Sequence, residues 1–66
     1  MMLTVNGAAA ELDPGSTVAT LVERLGRDPR GVAVALNEDV VPRGDWPARK
    51  CVAGDRVEVL RAAQGG

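Results

Sequence analysis

Apolar residues recur along this chain with two periods. Val18, Leu21, Val22 and Leu25 stand at i, i+3, i+4 and i+7, the stripe of one amphipathic helix. Ser16 or Thr17 can cap its start by accepting a backbone N–H, Gly26 suits its C-cap, and Asp28-Pro29 suits a stop. A helix of about nine residues is too short to persist alone in water, so this one must be held by packing on a sheet.

The sheet is written in the second period. Gly31 to Asn37 alternates large and small apolar residues, which directs Val32, Val34 and Leu36 at the helix and leaves Ala33 and Ala35 on the other face. Upstream, Met2 to Val5 runs into Asn6-Gly7, a dipeptide suited to a type I′ turn because both positions need positive φ. The returning strand, Ala8 to Leu12, is closed by Asp13-Pro14-Gly15. Downstream, Asn37-Glu38-Asp39 reads as a turn, and Val40-Val41 as a short edge strand ended by Pro42. Arg43 to Ala53 reads as irregular. After the turn signal Gly54-Asp55, Arg56 to Arg61 reads as a strand with Val57 and Val59 on one face and Leu60 out of phase. The order strand, strand, helix, strand, short strand, strand predicts an α+β domain with one helix across a mixed sheet.

Length and charge narrow the functional classes. Sixty-six residues make one domain with a modest core and little room for a deep cleft. A formal net charge of -1 gives no basic field for phosphate backbones, which argues against nucleic acid. Cys51 is the one cysteine, which excludes an intramolecular disulfide or a multi-cysteine metal site and suits a reducing compartment. With no apolar run near the ~20 residues of a membrane span, the expectation is a soluble, cytoplasmic protein and no membrane partner. A monomer is the simplest expectation.

Catalysis needs a poised acid, base, nucleophile or metal. This chain has no His, no metal-ligand cluster, no P-loop and no G-x-G-x-x-G, so the expectation is a non-enzyme with no catalytic residue, metal or bound cofactor. Its carboxylates, Asp55 among them, are scattered and read as a solvated surface. Cys51 reads as a small core residue in preference to a reactive thiol. Trp46, the lone aromatic residue, suits either a cap on the core or an anchor for a partner.

The last feature is the ending Gly65-Gly66, which reads either as a frayed terminus or as a backbone thin enough to enter a narrow channel on a partner enzyme. In the second reading it presents its carboxylate to a nucleotide, with the five residues from Ala62 reaching at most roughly 16–18 Å. A main-chain carboxyl ordinarily titrates near about 3.3–3.7, so at neutral pH it is an anion and a poor electrophile until activated as an acyl adenylate. An ATP-using partner is then required, because no ATP-binding motif is present.

Taken together, Asn6-Gly7, Thr17-Val18-Ala19-Thr20-Leu21, Val32 to Asn37, Val41-Pro42-Arg43 with Trp46, Gly54 to Val59 and Gln64-Gly65-Gly66 resemble the ThiS family of thiamine-pathway sulfur carriers over essentially the whole chain. The resemblance implies a ubiquitin-like β-grasp fold of four to five strands over residues 1–61, with a flexible tail at 62–66. It implies that an E1-like, ThiF-type enzyme adenylates Gly66 with ATP. A sulfur donor such as a cysteine desulfurase relay then converts it to a thiocarboxylate, and a ThiG-type thiazole synthase consumes the sulfur. Gln64, Gly65 and Gly66 would be the recognised tail, and Ala33, Ala35 and Leu60 a docking patch on the sheet face away from the helix. Cys51 stands where the family more often has an aliphatic residue, and Pro47 and Lys50 make that stretch atypical. The molybdopterin-synthase small subunit shares the Gly-Gly end but is usually longer and matches these motifs less well. A ubiquitin-like modifier or interaction module, with Gly66 joined to a target lysine, is the reading from another class.

Overall fold

The computed structural model describes residues 1–26 and 28–61. Its strands are β1 (Met2–Val5), β2 (Ala8–Glu11), β3 (Val32–Leu36), β4 (Asp39–Val41) and β5 (Arg56–Arg61), and its helix is α1 (Val18–Arg24). They form one five-stranded sheet in the order β2-β1-β5-β3-β4. β1 and β5 run parallel at its centre, while β2 on β1, β3 on β5 and β4 on β3 are antiparallel. One helix on a mixed sheet of this order is the β-grasp arrangement expected from the sequence.

Two tight hairpins set the register. Val5 faces Ala8 and Leu36 faces Asp39, so each loop has two residues. Asn6 and Gly7 have φ of 52° and 84°, and Asn37 and Glu38 have 52° and 76°. Both positions of each turn are thus left-handed, as a type I′ turn requires and as its twist match to the strands favours. Asp39 therefore opens β4 and does not belong to the turn, a correction forced by this two-residue geometry.

The Thr17 hydroxyl caps α1 by accepting from Thr20 N at 3.2 Å, whereas the Ser16 hydroxyl donates to the Asp13 carbonyl at 2.7 Å. α1 has seven residues and closes at Leu25, after which Gly26 turns left-handed at φ 71° and donates to the Glu23 carbonyl at 3.0 Å. The helix is therefore shorter than the apolar stripe predicts, and Leu25, past its last turn, is exposed. Val18, Leu21 and Val22 form the buried face. Against them pack Leu3, Val34, Leu36, Val41, Val57 and Val59 of the sheet, with Leu12, Trp46 and Cys51 from the connections.

The stretch from Arg43 to Ala53, expected to be irregular, is ordered by backbone hydrogen bonds. It opens with a 3-10 turn (Arg43–Asp45) and then serves the start of α1: Val18 N donates to the Arg49 carbonyl at 2.9 Å and Ala19 N to the Trp46 carbonyl at 3.2 Å. These are first-turn N–H groups that no intrahelical carbonyl can reach. Cys51 N donates to the Ser16 carbonyl at 2.9 Å, closing the connection against the helix entry. Asp55 is buried, accepting from Val52 N at 2.8 Å and Asn37 Nδ2 at 3.0 Å. It is a structural staple between two turns and not part of the solvated surface.

Candidate functional site

The tail expected to carry the chemistry grows from β5. Gln64, Gly65 and Gly66 lie outside the described residues, but the strand that leads to them is described through Arg61. β5 is the middle strand, and on one side β3 pairs with it along its length, from Leu36 opposite Val57 to Val32 opposite Arg61. On the other side β1 pairs only at Thr4 with Arg56 and Val5 with Val57. Beyond Val5, Asn6 takes over: its N–H donates to the Val57 carbonyl at 2.8 Å. Its side-chain Oδ1 accepts from Val59 N at 2.9 Å and its Nδ2 donates to the Val59 carbonyl at 3.2 Å. A side-chain amide offers the same donor and acceptor as a peptide group, so Asn6 stands in for the residue that β1 no longer supplies.

Asn37 does the corresponding job where β5 begins. Its N–H donates to the Arg56 carbonyl at 2.7 Å, its Oδ1 accepts from Arg56 N at 2.9 Å, and its Nδ2 reaches Asp55. Two hairpin asparagines in the same backbone conformation thus hold opposite ends of one strand.

The sheet face away from α1 is partly apolar. Ala33 lies opposite Leu60 and Ala35 opposite Glu58, so the expected trio Ala33, Ala35 and Leu60 shares one face, with Leu60 58% exposed. The same register adds a residue the sequence reading did not assign: Val40 pairs with Ala35 and is 74% exposed. Its neighbour Val41 is buried, so period-two alternation across Val40-Val41 was the signal that could have placed it. Leu60, Ala33, Ala35 and Val40 form a continuous strip with Glu58 in its middle row. The strip ends one residue before Arg61, so the apolar face and the exit of the chain adjoin. At the opposite end of β5 the exposed Arg56 guanidinium pairs with Glu38 at 3.3 Å.

Other candidates resolve into structure. Trp46 is buried and donates from Nε1 to the Val41 carbonyl at 2.9 Å, which makes it a core residue and not a partner anchor. Cys51 is buried; its thiol is pushed above the ordinary range by burial and by the Asp55 charge, against a smaller opposing effect of Arg49. It is therefore protonated and sheltered at neutral pH, unlike a sulfur-transfer nucleophile. A shallow depression beside α1, lined by Ala19, Val22, Glu23, Pro29 and Trp46, lacks convergent polar groups. Among the described residues no group of three or more His, Cys, Asp or Glu could hold a metal, and no helix is long and apolar enough to cross a membrane.

Comparison with known proteins accords with this anatomy. The ThiS family model matches residues 3–66. The chain is 32% identical over 66 residues to the sulfur carrier protein ThiS of Escherichia coli, covering all of both chains. It is 33% identical over 66 residues to a thiazole synthase of Paramagnetospirillum magneticum, covering all of this chain and 20% of that longer one. The crystal structure of the thiamine biosynthesis protein ThiS from Geobacter metallireducens superposes with a TM-score of 0.84 at 35% identity, covering all of both chains. With the family motif extending to the Gly-Gly end and the fold shared along its length, the chain belongs to the ThiS family, the ubiquitin-like sulfur carriers of thiamine biosynthesis.

Proposed function

We propose that this chain carries sulfur as a thiocarboxylate on Gly66. In the first step an E1-like enzyme of ThiF type binds the carrier and ATP, and a Gly66 carboxylate oxygen attacks the α-phosphorus, releasing pyrophosphate. The terminal sulfur of a donor persulfide, such as that of a cysteine desulfurase relay, then attacks the acyl adenylate and AMP departs, and a thiol reduces the resulting acyl disulfide, leaving the thiocarboxylate on Gly66 and a disulfide on the donor. A ThiG-type thiazole synthase takes the sulfur and returns the carboxylate. Tethering the sulfur to a protein makes its delivery a docking event, so the reacting atom is held near its target and does not diffuse as sulfide.

The observation that carries this reading is the family match running through Gly66 on a domain whose apolar strip adjoins the strand leading to it. ATP is used by the partner, and the domain itself serves as handle and co-substrate. Docking uses Leu60, Ala33, Ala35 and Val40, and Gln64, Gly65 and Gly66 are read in the enzyme channel. Partnership with a thiazole synthase is supported by the relative of that name, which contains a segment similar to this entire chain. Work in the cytoplasm, as a monomer between encounters, accords with a sheltered free thiol at Cys51.

Intact-protein mass spectrometry tests the cycle. After incubation with the activating enzyme, ATP and a sulfur source, the full chain should gain the mass of an oxygen-to-sulfur exchange, and a variant lacking Gly66 should not. No exchange under conditions where the activating enzyme turns over a known carrier refutes the proposal, and an isopeptide adduct in its place identifies a modifier.

A further inference from the structure

We infer that Asn6 is a positioning residue for the tail chemistry: its side-chain amide fixes the last stretch of β5, the strand from which the tail departs. The inference rests on the carrier cycle proposed above and adds to it a residue far from Gly66 in sequence.

β5 outlasts its parallel partner. β1 reaches only to Val5 opposite Val57, and the chain then turns away at Asn6-Gly7, while β5 continues to Arg61. On that side Val59 is held by Asn6 Oδ1 and Nδ2, at 2.9 and 3.2 Å, across 53 residues of sequence. Both backbone polar groups of one residue are thereby fixed two residues before the described strand ends. The residue type fits a double demand. A φ of 52° favours Asn or Gly, and of these only Asn brings an amide. Aspartate would accept from Val59 N but set a carboxylate oxygen against the Val59 carbonyl, and the longer glutamine would overshoot.

A tail that must thread a channel amplifies uncertainty at its root. The seven residues that follow Val59 can reach at most roughly 23–25 Å, so an angular freedom of about 10° at Val59 displaces the tip in an enzyme channel by up to about 4 Å. A misplacement of about 1 Å at a reacting centre can already cost on the order of a hundredfold in rate. Holding Val59 therefore favours arrival of the terminal carboxylate in line with the α-phosphate, while docking through the apolar strip is a separate event.

The fold supplies a matched control. Asn37 has the same φ of 52°, the same place in its hairpin and two side-chain hydrogen bonds, but it acts on Arg56 and Asp55 at the opposite end of β5. Asn6→Gly and Asn37→Gly each keep a residue at ease with positive φ and each delete one clamp. We expect similar losses in melting temperature but different kinetics with the activating enzyme and ATP, followed by pyrophosphate release below both melting points. Asn6→Gly should lower kcat roughly tenfold with KM within about twofold, the rate equivalent of a lost hydrogen-bonded pair, and Asn37→Gly should leave both near wild type. Amide exchange at Val59 should quicken in Asn6→Gly alone, a readout independent of the enzyme, and Asn6→Asp, which retains one bond, should fall between. Equal kcat in the two glycine variants, or rates that follow melting temperature in both, overturns the positioning role while leaving the carrier cycle intact. A wild-type chain that is never adenylated overturns both.

Discussion

Leu60→Glu tests whether the apolar strip is a docking surface. A fully buried leucine is worth about 1.5–3 kcal/mol, and Leu60 still exposes 58% of its surface, so covering it on a partner is worth about 1–1.5 kcal/mol. Removing that gain with Leu60→Ala should raise the KM of the activating enzyme for the carrier by about tenfold. Glutamate goes further: it places a carboxylate in the interface beside Glu58, where desolvation adds a penalty that brings the expected rise to about a hundredfold. The domain itself should tolerate the change, because an exposed substitution away from caps and core usually shifts stability by no more than about 0.5 kcal/mol. The assay is pyrophosphate release at saturating ATP with varied carrier, and a thermal melt checks the fold. A KM for Leu60→Glu within twofold of wild type, with the fold intact, refutes the assignment of this face. The same measurement on Val40→Glu asks whether the strip extends to β4, as its register with Ala35 predicts.

Two further outcomes test the packing. Trp46→Phe keeps most of the apolar surface but strands the Val41 carbonyl and should cost about 1 kcal/mol in denaturant unfolding, whereas Trp46→Ala should cost about 3–5 kcal/mol and leave a domain of this size largely unfolded; a Phe variant as stable as wild type would show that the indole hydrogen bond contributes nothing. Because the Cys51 thiol titrates higher folded than unfolded, raising the pH above about 8.5 ionises the unfolded chain first and favours it. Wild type should therefore lose stability relative to Cys51→Ala as pH rises from neutral to 10, with the difference constant below about 8; a gap that stays constant throughout would show that the thiol is not sheltered.

Much of the architecture is legible in the sequence because it rests on local rules. Asn6-Gly7 specifies a left-handed turn by itself, Val18, Leu21 and Val22 mark one helix face, and the alternation from Val32 to Leu36 states which side meets it. What escapes notice is non-local. Leu25 keeps the helical period, yet the left-handed Gly26 ends the helix ahead of it. Asp39 looks like a turn residue until Leu36 is known to face it. The order between Arg43 and Ala53 is made by carbonyls of Trp46 and Arg49 capping a helix that precedes them by tens of residues, and no composition signals that. Val40 was readable from Val41 but needed the register with Ala35 to join the strip. The clamps by Asn6 and Asn37 could not be read at all, since a turn former gives no hint of what its side-chain amide will grasp on a distant strand.

The central placement of β5 has a consequence for biogenesis. Of the five strands of this sheet, the last in chain order is the one that joins the β1-β2 and β3-β4 hairpins. A nascent chain therefore emerges as two ribbons and a short helix with no shared interior, and cooperative closure waits for Val57 and Val59 to slot between them. Chains interrupted before that point would stay open to proteolysis, so cellular quality control would remove those that stop short of β5.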